Sequence, residues 1–418
     1  MLSKLLNKLN LEKICALYVI LWIFVPPVQV GTIYRLAAVG CAGLWFLSVL
    51  LRDPTLMDKI GKFLLIGAAC VALMIIWSLG VYSIGTSITR NLQFVIMLTC
   101  GVMATYYMKT DKEFVHILIG ACLIAICIFC VTTIVAVIEN PYAARIANSE
   151  WLEGRFDENR NVGLYGYVYM CVLIAPMILC KMLKKVKLSR WMDALFLVAF
   201  ILIVTMTLLS GYMIANFCLL LGCGLVLIFQ KMTGLRIFLF LVIVFTFIIF
   251  YQDLIEIFFD LLASLFGDNP AYGQKIAEFK DLFLEGDAGG VTVDERFSNY
   301  QDSLELVYTY PVIGSFICGM IGGGGHSALL DTIGRYGWLI AGLYFYLFWK
   351  YPLEIYKNKK PQYIKILMIV VIIFSIFDPY SQELGVALYL FLPYVIYIVD
   401  DHEVNPRLQA ETVEGMAQ

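Results

Sequence analysis

The chain has 418 residues, of which 61% are hydrophobic and 15% charged, and its formal net charge is −2. Soluble domains have about 45–50% apolar and about 25% charged residues, so this composition excludes an ordinary soluble protein. A net charge close to zero also excludes a globally basic surface for nucleic acid. Apolar runs of about 18 residues or more recur along the chain, and each can cross the hydrocarbon core of a bilayer as a helix.

Hydropathy predicts an all-α polytopic membrane protein with about twelve transmembrane helices. Pro26 and Pro27 interrupt the first span and predict a break in it, because proline cannot continue the helical hydrogen bonding. Very short connections are predicted at 210–211 and 378–381. The predicted spans are 14–30, 31–51, 60–80, 91–108, 115–138, 164–182, 191–210, 212–230, 237–252, 328–349, 363–379 and 383–399.

The spans divide the chain into four parts around one large loop. Amphipathic spacing within that loop predicts short helices at the membrane surface, at 254–266, 276–284 and 297–311. The parts are 1–252, with transmembrane helices 1–9 and a smaller exoplasmic loop near 139–163; 253–327, the large exoplasmic loop; 328–400, with transmembrane helices 10–12; and 401–418, a tail.

Orientation is predicted from the lysines and arginines. Most of these 30 residues fall in the connections on one side of the predicted spans, as in the segment 181–190. Cytoplasmic connections of membrane proteins are enriched in these residues, so both termini and the tail are predicted to be cytoplasmic. An even number of spans agrees with that orientation.

The 12 cysteines show no repeated spacing typical of a metal site. Cys127 and Cys130 form one C-x-x-C, but it lies inside an apolar run. A redox pair needs a polar setting that stabilises a thiolate, so we interpret these two as packing residues.

Several arginines lie on the predicted outer side, although basic residues are expected mainly on the cytoplasmic side. Arg145, Arg155, Arg160 and Arg296 lie in the two exoplasmic loops, Arg335 lies at the outer end of a span, and lysine is scarce there. The planar guanidinium group matches two oxygens of a phosphate or carboxylate, so this preference indicates anion binding. The alternative is that single arginines pair with the acidic residues close to them in sequence.

A glycine run ends in the histidine of greatest interest. Residues 322–325 are all glycine, and His326 and Ser327 follow directly before the tenth predicted span. Glycine lets a backbone approach a ligand closely, and the helix that follows would direct its positive end to the same point. His326 is therefore a candidate general base, because imidazole titrates near neutral pH. The alternative is a flexible loop whose histidine caps the helix.

Asp331 and Arg335 form a candidate charge pair in the tenth predicted span. They are four residues apart, so they share one helical face and are predicted to form an ion pair. Charges inside a membrane segment suggest function, although a pair that only orients the helix is the alternative.

The segment 296–342 resembles the O-antigen polymerase and O-antigen ligase superfamily. Members have an arginine opening the large loop, a Pro-x-x-Gly, a His followed by Asn or Ser, a Leu-acidic pair and spaced glycines. The corresponding residues here are Arg296, Pro311, Gly314, His326, Ser327, Leu330, Asp331, Gly337 and Gly342. The segment 155–161 resembles an earlier Arg…Asn segment of the family. One departure is Ser210-Gly211, where many members have Ser-Arg.

This resemblance implies a GT-C-like glycosyltransferase that needs neither metal nor cofactor. Its donor would be an undecaprenyl-diphosphate-linked glycan at the outer face of the bacterial plasma membrane. By position His326 would be the base, Arg296 and either Arg155 or Arg160 would bind the diphosphate, and Arg145 would supply any further contact. Ser327, Asp331 and Arg335 would support the site. A glycan acceptor, a chain-length regulator and a flippase would be partners.

Three functions stay open at the level of sequence. A polymerase of O-antigen, capsule or exopolysaccharide repeat units is preferred, because the long acidic and aromatic loop suits a sugar acceptor. A ligase that moves the finished glycan to lipid A core or another acceptor would use the same donor and chemistry. A flippase or transporter of lipid-linked oligosaccharide would show charges at mid-membrane and repeated halves, and neither is visible.

Overall fold

A computed structural model describes most of the chain, and its described part is helical. The described residues are 10–139, 143, 147, 162–210, 212–229, 251–266, 273–274, 276–277, 280, 291–322, 325, 327–355 and 362–400. Within those ranges no β-strand occurs. The all-α class predicted from composition is confirmed for the described residues.

Fourteen helices of the described residues organise the fold, and we number them in chain order. The helix Ala328–Phe345 continues through a π-helical turn, Tyr346–Lys350, into Tyr351–Glu354. The helices are α1 (Leu11–Phe24), α2 (Pro26–Val30), α3 (Thr32–Arg52), α4 (Leu56–Ser78), α5 (Ile84–Thr110), α6 (Lys112–Glu139), α7 (Tyr165–Leu183), α8 (Arg190–Leu209), α9 (Met213–Phe229), α10 (Tyr251–Phe266), α11 (Val291–Thr309), α12 (Ala328–Phe345), α13 (Gln362–Phe377) and α14 (Leu384–Asp400).

Six of these helices, α3 to α8, are long and apolar enough to cross a membrane. Shorter apolar stretches occupy Ala215–Ile228 in α9, Tyr363–Phe377 in α13 and the whole of α14. This is the architecture of a polytopic membrane protein. Most of the predicted ninth span, 237–252, and the predicted helix at 276–284 lie outside the described residues, so the count of twelve spans stays a prediction. The predicted helices at 254–266 and 297–311 correspond to α10 and α11.

The first predicted span is broken where its two prolines stand. Helix α1 ends at Phe24, Val25 is extended, and α2 begins at Pro26. Proline is tolerated in the first turn of a helix, where its missing N–H has no partner to lose. The side-chain amide of Gln29 donates to the carbonyl of Ile23, which holds α2 against the end of α1.

Helix α7 lies at the centre and α3 at the periphery. Buried residues make up 89% of the apolar window of α7 but only 17% of that of α3. Helix α7 packs against α8, α9 and α13, whereas α3 packs against α1 and exposes side chains such as Leu36 and Val39. Apolar side chains can face lipid tails at no cost, so a peripheral helix of a membrane protein needs no polar outer face.

Basic side chains gather at one end of the helices. Lys13 Nζ lies 2.6 Å from Asp111 Oδ2, and Lys62 Nζ lies 2.8 Å from Glu354 Oε2. These pairs join connections that the charge rule assigns to one side, and we call this the basic end. The opposite end, where α7 and α12 begin, is called the site end. Which end faces the cytoplasm stays a prediction.

An apolar groove of about 370 Å³ lies between α3, α4 and α5. Thr99 is the one hydroxyl-bearing residue in its lining, and Trp45, Phe63 and Leu98 are typical of the rest. Such a lining suits hydrocarbon and offers few partners for sugar hydroxyls. This groove is therefore a poor match for a polar substrate.

Candidate functional site

The structure describes three of the predicted site residues completely. Ser327, Asp331 and Arg335 lie at and after the start of α12, and Arg296 lies in the helical backbone of α11. The other predicted residues lie outside the described ones, namely His326, Arg145, Arg155 and Arg160. His326 directly precedes Ser327 in the chain, so the start of α12 is where its neighbourhood can be examined.

Ser327 is the N-cap of α12. Its hydroxyl accepts a 3.1 Å hydrogen bond from the Leu330 N–H and donates to the carbonyl of Ser375 at 3.3 Å. A capping serine satisfies one of the otherwise unpaired amide groups of a helix start. The second bond ties Ser327 to α13. The residue that directly follows His326 is therefore held by a tertiary contact.

Asp331 is buried and held by two groups. Ser303 of α11 donates to its Oδ1 at 2.6 Å, and the Ser327 N–H donates to its Oδ2 at 3.2 Å. A buried carboxylate is costly unless hydrogen bonds replace the lost water. Asp331 thus connects the large-loop helix α11 to the cap of α12.

The predicted pair between Asp331 and Arg335 is confirmed at the limit of ion-pair distance. Arg335 Nη2 lies 4.0 Å from Asp331 Oδ2, while its Nε donates to the Gly322 carbonyl at 3.3 Å. Arg335 therefore borders the glycine run as well as the helix. Gly325 in that run has φ +72°, a left-handed conformation that favours glycine.

Asp378, in the connection between α13 and α14, joins three helices. Its carboxylate accepts from the Tyr165 hydroxyl, with distances of 2.6 Å to Oδ1 and 2.7 Å to Oδ2. Its carbonyl accepts from the Ala328 N–H at 3.0 Å. Tyr165 opens α7 and Ala328 opens α12, so the buried Asp378 ties together both helix starts at the site end.

Helix α11 lies across this junction. Tyr300 donates to the Phe377 carbonyl at 2.8 Å, one helical turn before the bond from Ser303 to Asp331. Arg296 precedes Tyr300 by four residues in the same helix. The described contacts thus unite the helices on which the family-like motif lies, α11 and α12, with the start of α7.

A third buried carboxyl group lies beside this network. Glu383 Oε1 accepts from Gln29 Nε2 at 3.2 Å, which links the α13–α14 connection to α2. Burial raises the pKa of Glu383, although this bond and others to the carboxyl oppose the shift. Gly166 allows the close approach, because a Cβ there would lie 2.3 Å from Glu383 Oε2.

Reasoning from sequence missed several polar residues of the site end. The short connection predicted at 378–381 does not single out Asp378, and the predicted set of outer arginines does not include Arg35 and Arg90. The available signal was the one used for the other arginines, since both lie near short connections on the predicted outer side. Asp378 offered a weaker signal, as an acid between two apolar helices.

Neither a metal group nor a disulfide occurs in the described part of the chain. No three His, Cys, Asp or Glu side chains among the described residues could share a metal ion. All 12 cysteines are free thiols there, including Cys127 and Cys130. The chain matches no protein-family model and no curated protein sequence.

Proposed function

We propose that this protein is a membrane glycosyltransferase that polymerises undecaprenyl-diphosphate-linked repeat units of a surface polysaccharide. The observation that carries the proposal is the contact network of Ser303, Ser327, Asp331 and Asp378. It supports the view that the segments with the family-like residues act as one site, because these contacts join α7, α11, α12 and α13. The reaction is assigned to the outer face of the bacterial plasma membrane.

The roles of the residues follow the chemistry of a diphosphate leaving group. His326 takes the proton from an acceptor hydroxyl, whose oxygen attacks the anomeric carbon of the donor sugar. The bond from that carbon to the diphosphate oxygen breaks, and the electron pair leaves with the diphosphate. Arg296 and arginines of the 139–163 loop stabilise this charge, which is the largest demand of the step.

The described contacts give the supporting residues a physical role. Asp331 and Ser327 fix the first turn of α12, and through it the chain position next to His326. Arg335 holds the carbonyl of Gly322 at the start of the glycine run. A base must keep hydrogen-bond distance to its substrate, so a rigid helix start on one side of it is an advantage.

Substitution of the base and of one arginine tests the proposal. We expect His326→Ala and Arg296→Ala each to lower chain extension by about 10²–10⁴-fold, since each removes a group used in the transition state. The readout is the length distribution of surface glycan on gels, with the amount of protein in the membrane measured by immunoblot. His402→Ala, in the tail, is the matched control and should leave the glycan unchanged. Normal long-chain glycan from either site variant would contradict the proposal.

A deletion strain distinguishes polymerase from ligase, which share donor and chemistry. Loss of a polymerase leaves single repeat units attached to the acceptor, whereas loss of a ligase leaves long chains on the lipid carrier. We expect single attached units. Analysis of both lipid-linked and acceptor-linked glycans distinguishes the two. Long chains that stay on the lipid carrier would show that the protein is a ligase and not a polymerase.

A further inference from the structure

Two arginines of the site end, one of them the Arg335 described above, flank a pair of aromatic rings that the contact network does not include. The Arg90 guanidinium lies 4.1 Å from the centroid of the Tyr82 ring. The Tyr82 and Phe316 rings meet edge to face with centroids 5.6 Å apart, and the Arg335 guanidinium lies 6.0 Å from the Phe316 ring. The four side chains come from α5, α12, the α4–α5 connection and the segment after α11.

The backbone holds these rings in place. The Trp77 indole donates to the Ile313 carbonyl at 2.6 Å, and the Ser315 N–H donates to the Gly334 carbonyl at 2.8 Å. Gly80 lies so close to the segment that a Cβ there would be 2.1 Å from the Phe316 carbonyl oxygen. The segment around Phe316 is therefore fixed between α4 and α12.

An apolar belt surrounds the ring pair. Val312, Ile317 and Ile321 are exposed in the segment after α11, with 67%, 45% and 72% of their surface accessible, and Trp338 of α12 is 55% exposed. In a membrane protein such residues face lipid, and tryptophan is enriched at the level of the lipid headgroups. Arg335 lies three residues before Trp338 in the same helix, so its guanidinium lies at the level of this apolar belt.

The arginines suit an anionic ligand at that level. Arg90 is exposed, and no carboxylate lies within ion-pair distance of it among the described residues. Its contact with the Tyr82 ring is a cation–π contact, which uses none of its N–H groups in an ion pair. The planar guanidinium fork matches the oxygens of a phosphate group.

We propose that Arg90 and Arg335 bind the phosphate headgroup of a lipid, whose hydrocarbon chain lies along the apolar belt. Two kinds of lipid carry this chemistry, a polyprenyl diphosphate and a phospholipid. Binding here does not rest on glycosyl transfer, because neither arginine takes part in the proton transfer or the bond breaking proposed above. The inference can therefore hold even if the proposed function fails.

Binding of defined lipids to the purified full-length protein tests this site. The probes are geranylgeranyl diphosphate, dioctanoyl phosphatidylglycerol and, without a phosphate, geranylgeraniol, each measured by native mass spectrometry in detergent. We expect at least one phosphate-bearing probe to bind more tightly than geranylgeraniol. Arg90→Ala should lower the affinity for that probe by about tenfold or more, as expected for loss of a charged hydrogen-bonding group. Arg90→Lys should retain part of the affinity.

The controls separate a specific site from general attraction to charge. Arg35→Ala removes another exposed arginine, whose Nε donates to the Gln29 carbonyl at 2.9 Å, and should leave affinity unchanged. Arg335→Ala should weaken binding as much as Arg90→Ala does. This comparison holds if Arg335→Ala melts at the same temperature as the unsubstituted protein. If Arg335→Ala melts at a lower temperature, the result for Arg90→Ala alone decides. Preference for the diphosphate identifies a carrier-lipid site, and preference for phosphatidylglycerol a phospholipid site. Equal affinity of the unsubstituted protein and Arg90→Ala, or an equal loss in Arg35→Ala, would overturn the proposal.

Discussion

Two buried carboxyl groups in one short connection show how single residues organise the site end. Asp378 accepts from Tyr165, and Glu383 accepts from Gln29. Each bond spans a long stretch of sequence and ties the α13–α14 connection to a different helix. Buried carboxyl groups without such partners would cost several kcal/mol, on the order of a large part of the stability of a protein. These residues are therefore structural tethers whatever chemistry occurs beside them.

The raised pKa of Glu383 gives a prediction about stability and pH. A carboxyl group whose pKa is raised in the folded state stabilises the fold below its unfolded pKa, about 4.3, and loses that contribution as pH rises through the folded pKa. Glu383→Gln removes this ionisation. We expect its melting temperature in detergent to exceed that of the unsubstituted protein by an amount that grows as pH rises from the unfolded pKa through the folded pKa.

The exposed Glu305 of α11 is the matched control for this measurement. Glu305→Gln removes an exposed carboxylate in the same way, and its melting temperature is measured across the same pH range for comparison. A melting temperature of Glu383→Gln that runs parallel to the unsubstituted protein across the whole pH range would contradict the prediction.

Among the elements, α12 combines a tight start with a kink. Gly337 has φ +75°, and the segment after α11 fills the gap in helical hydrogen bonding. There the Trp338 N–H donates to the Pro311 carbonyl at 2.9 Å. This packing leaves no room for a side chain, since a Cβ on Gly337 would lie 2.1 Å from the Val312 carbonyl oxygen. The kink thus locks α12 to the segment that carries Phe316.

Substitution of two glycines in this helix tests that reading. We expect Gly337→Ala to destabilise the protein by about 2 kcal/mol or more, because it adds left-handed strain to a backbone clash. Gly342→Ala is the control, since nothing lies within 4 Å of a Cβ there, and it should change stability by only about 1 kcal/mol or less. Thermal melting in detergent compares them, and equal melting temperatures would contradict the role of the kink.

At the scale of the whole molecule, the separation of charges predicts orientation. The contacts of Lys13 with Asp111 and of Lys62 with Glu354 show that basic connections meet at one end. If that end faces the cytoplasm, green fluorescent protein fused to either terminus will fluoresce and alkaline phosphatase fused there will be inactive. Active phosphatase at one terminus would show an odd number of spans, and at both termini an inverted protein.

The sequence predicted features that depend on neighbours along the chain. The break at Pro26 follows from the chemistry of proline, and the pair of Asp331 and Arg335 follows from the spacing of one helical turn. Each of these was confirmed, because its cause lies within a few residues. The roles of His326, Arg145, Arg155, Arg160 and Arg296 stay predictions.

Sequence by itself determined that the chain is helical and belongs in a bilayer, since apolar runs of membrane length have no stable alternative in water or lipid. Only the tertiary structure decided which polar groups meet at the site end. Ser303 and Asp331 are 28 residues apart, and Tyr165 and Asp378 are 213 apart. No periodicity spans such distances. Burial in an apolar surrounding selects these pairs, because each polar group must find a partner where no water can serve.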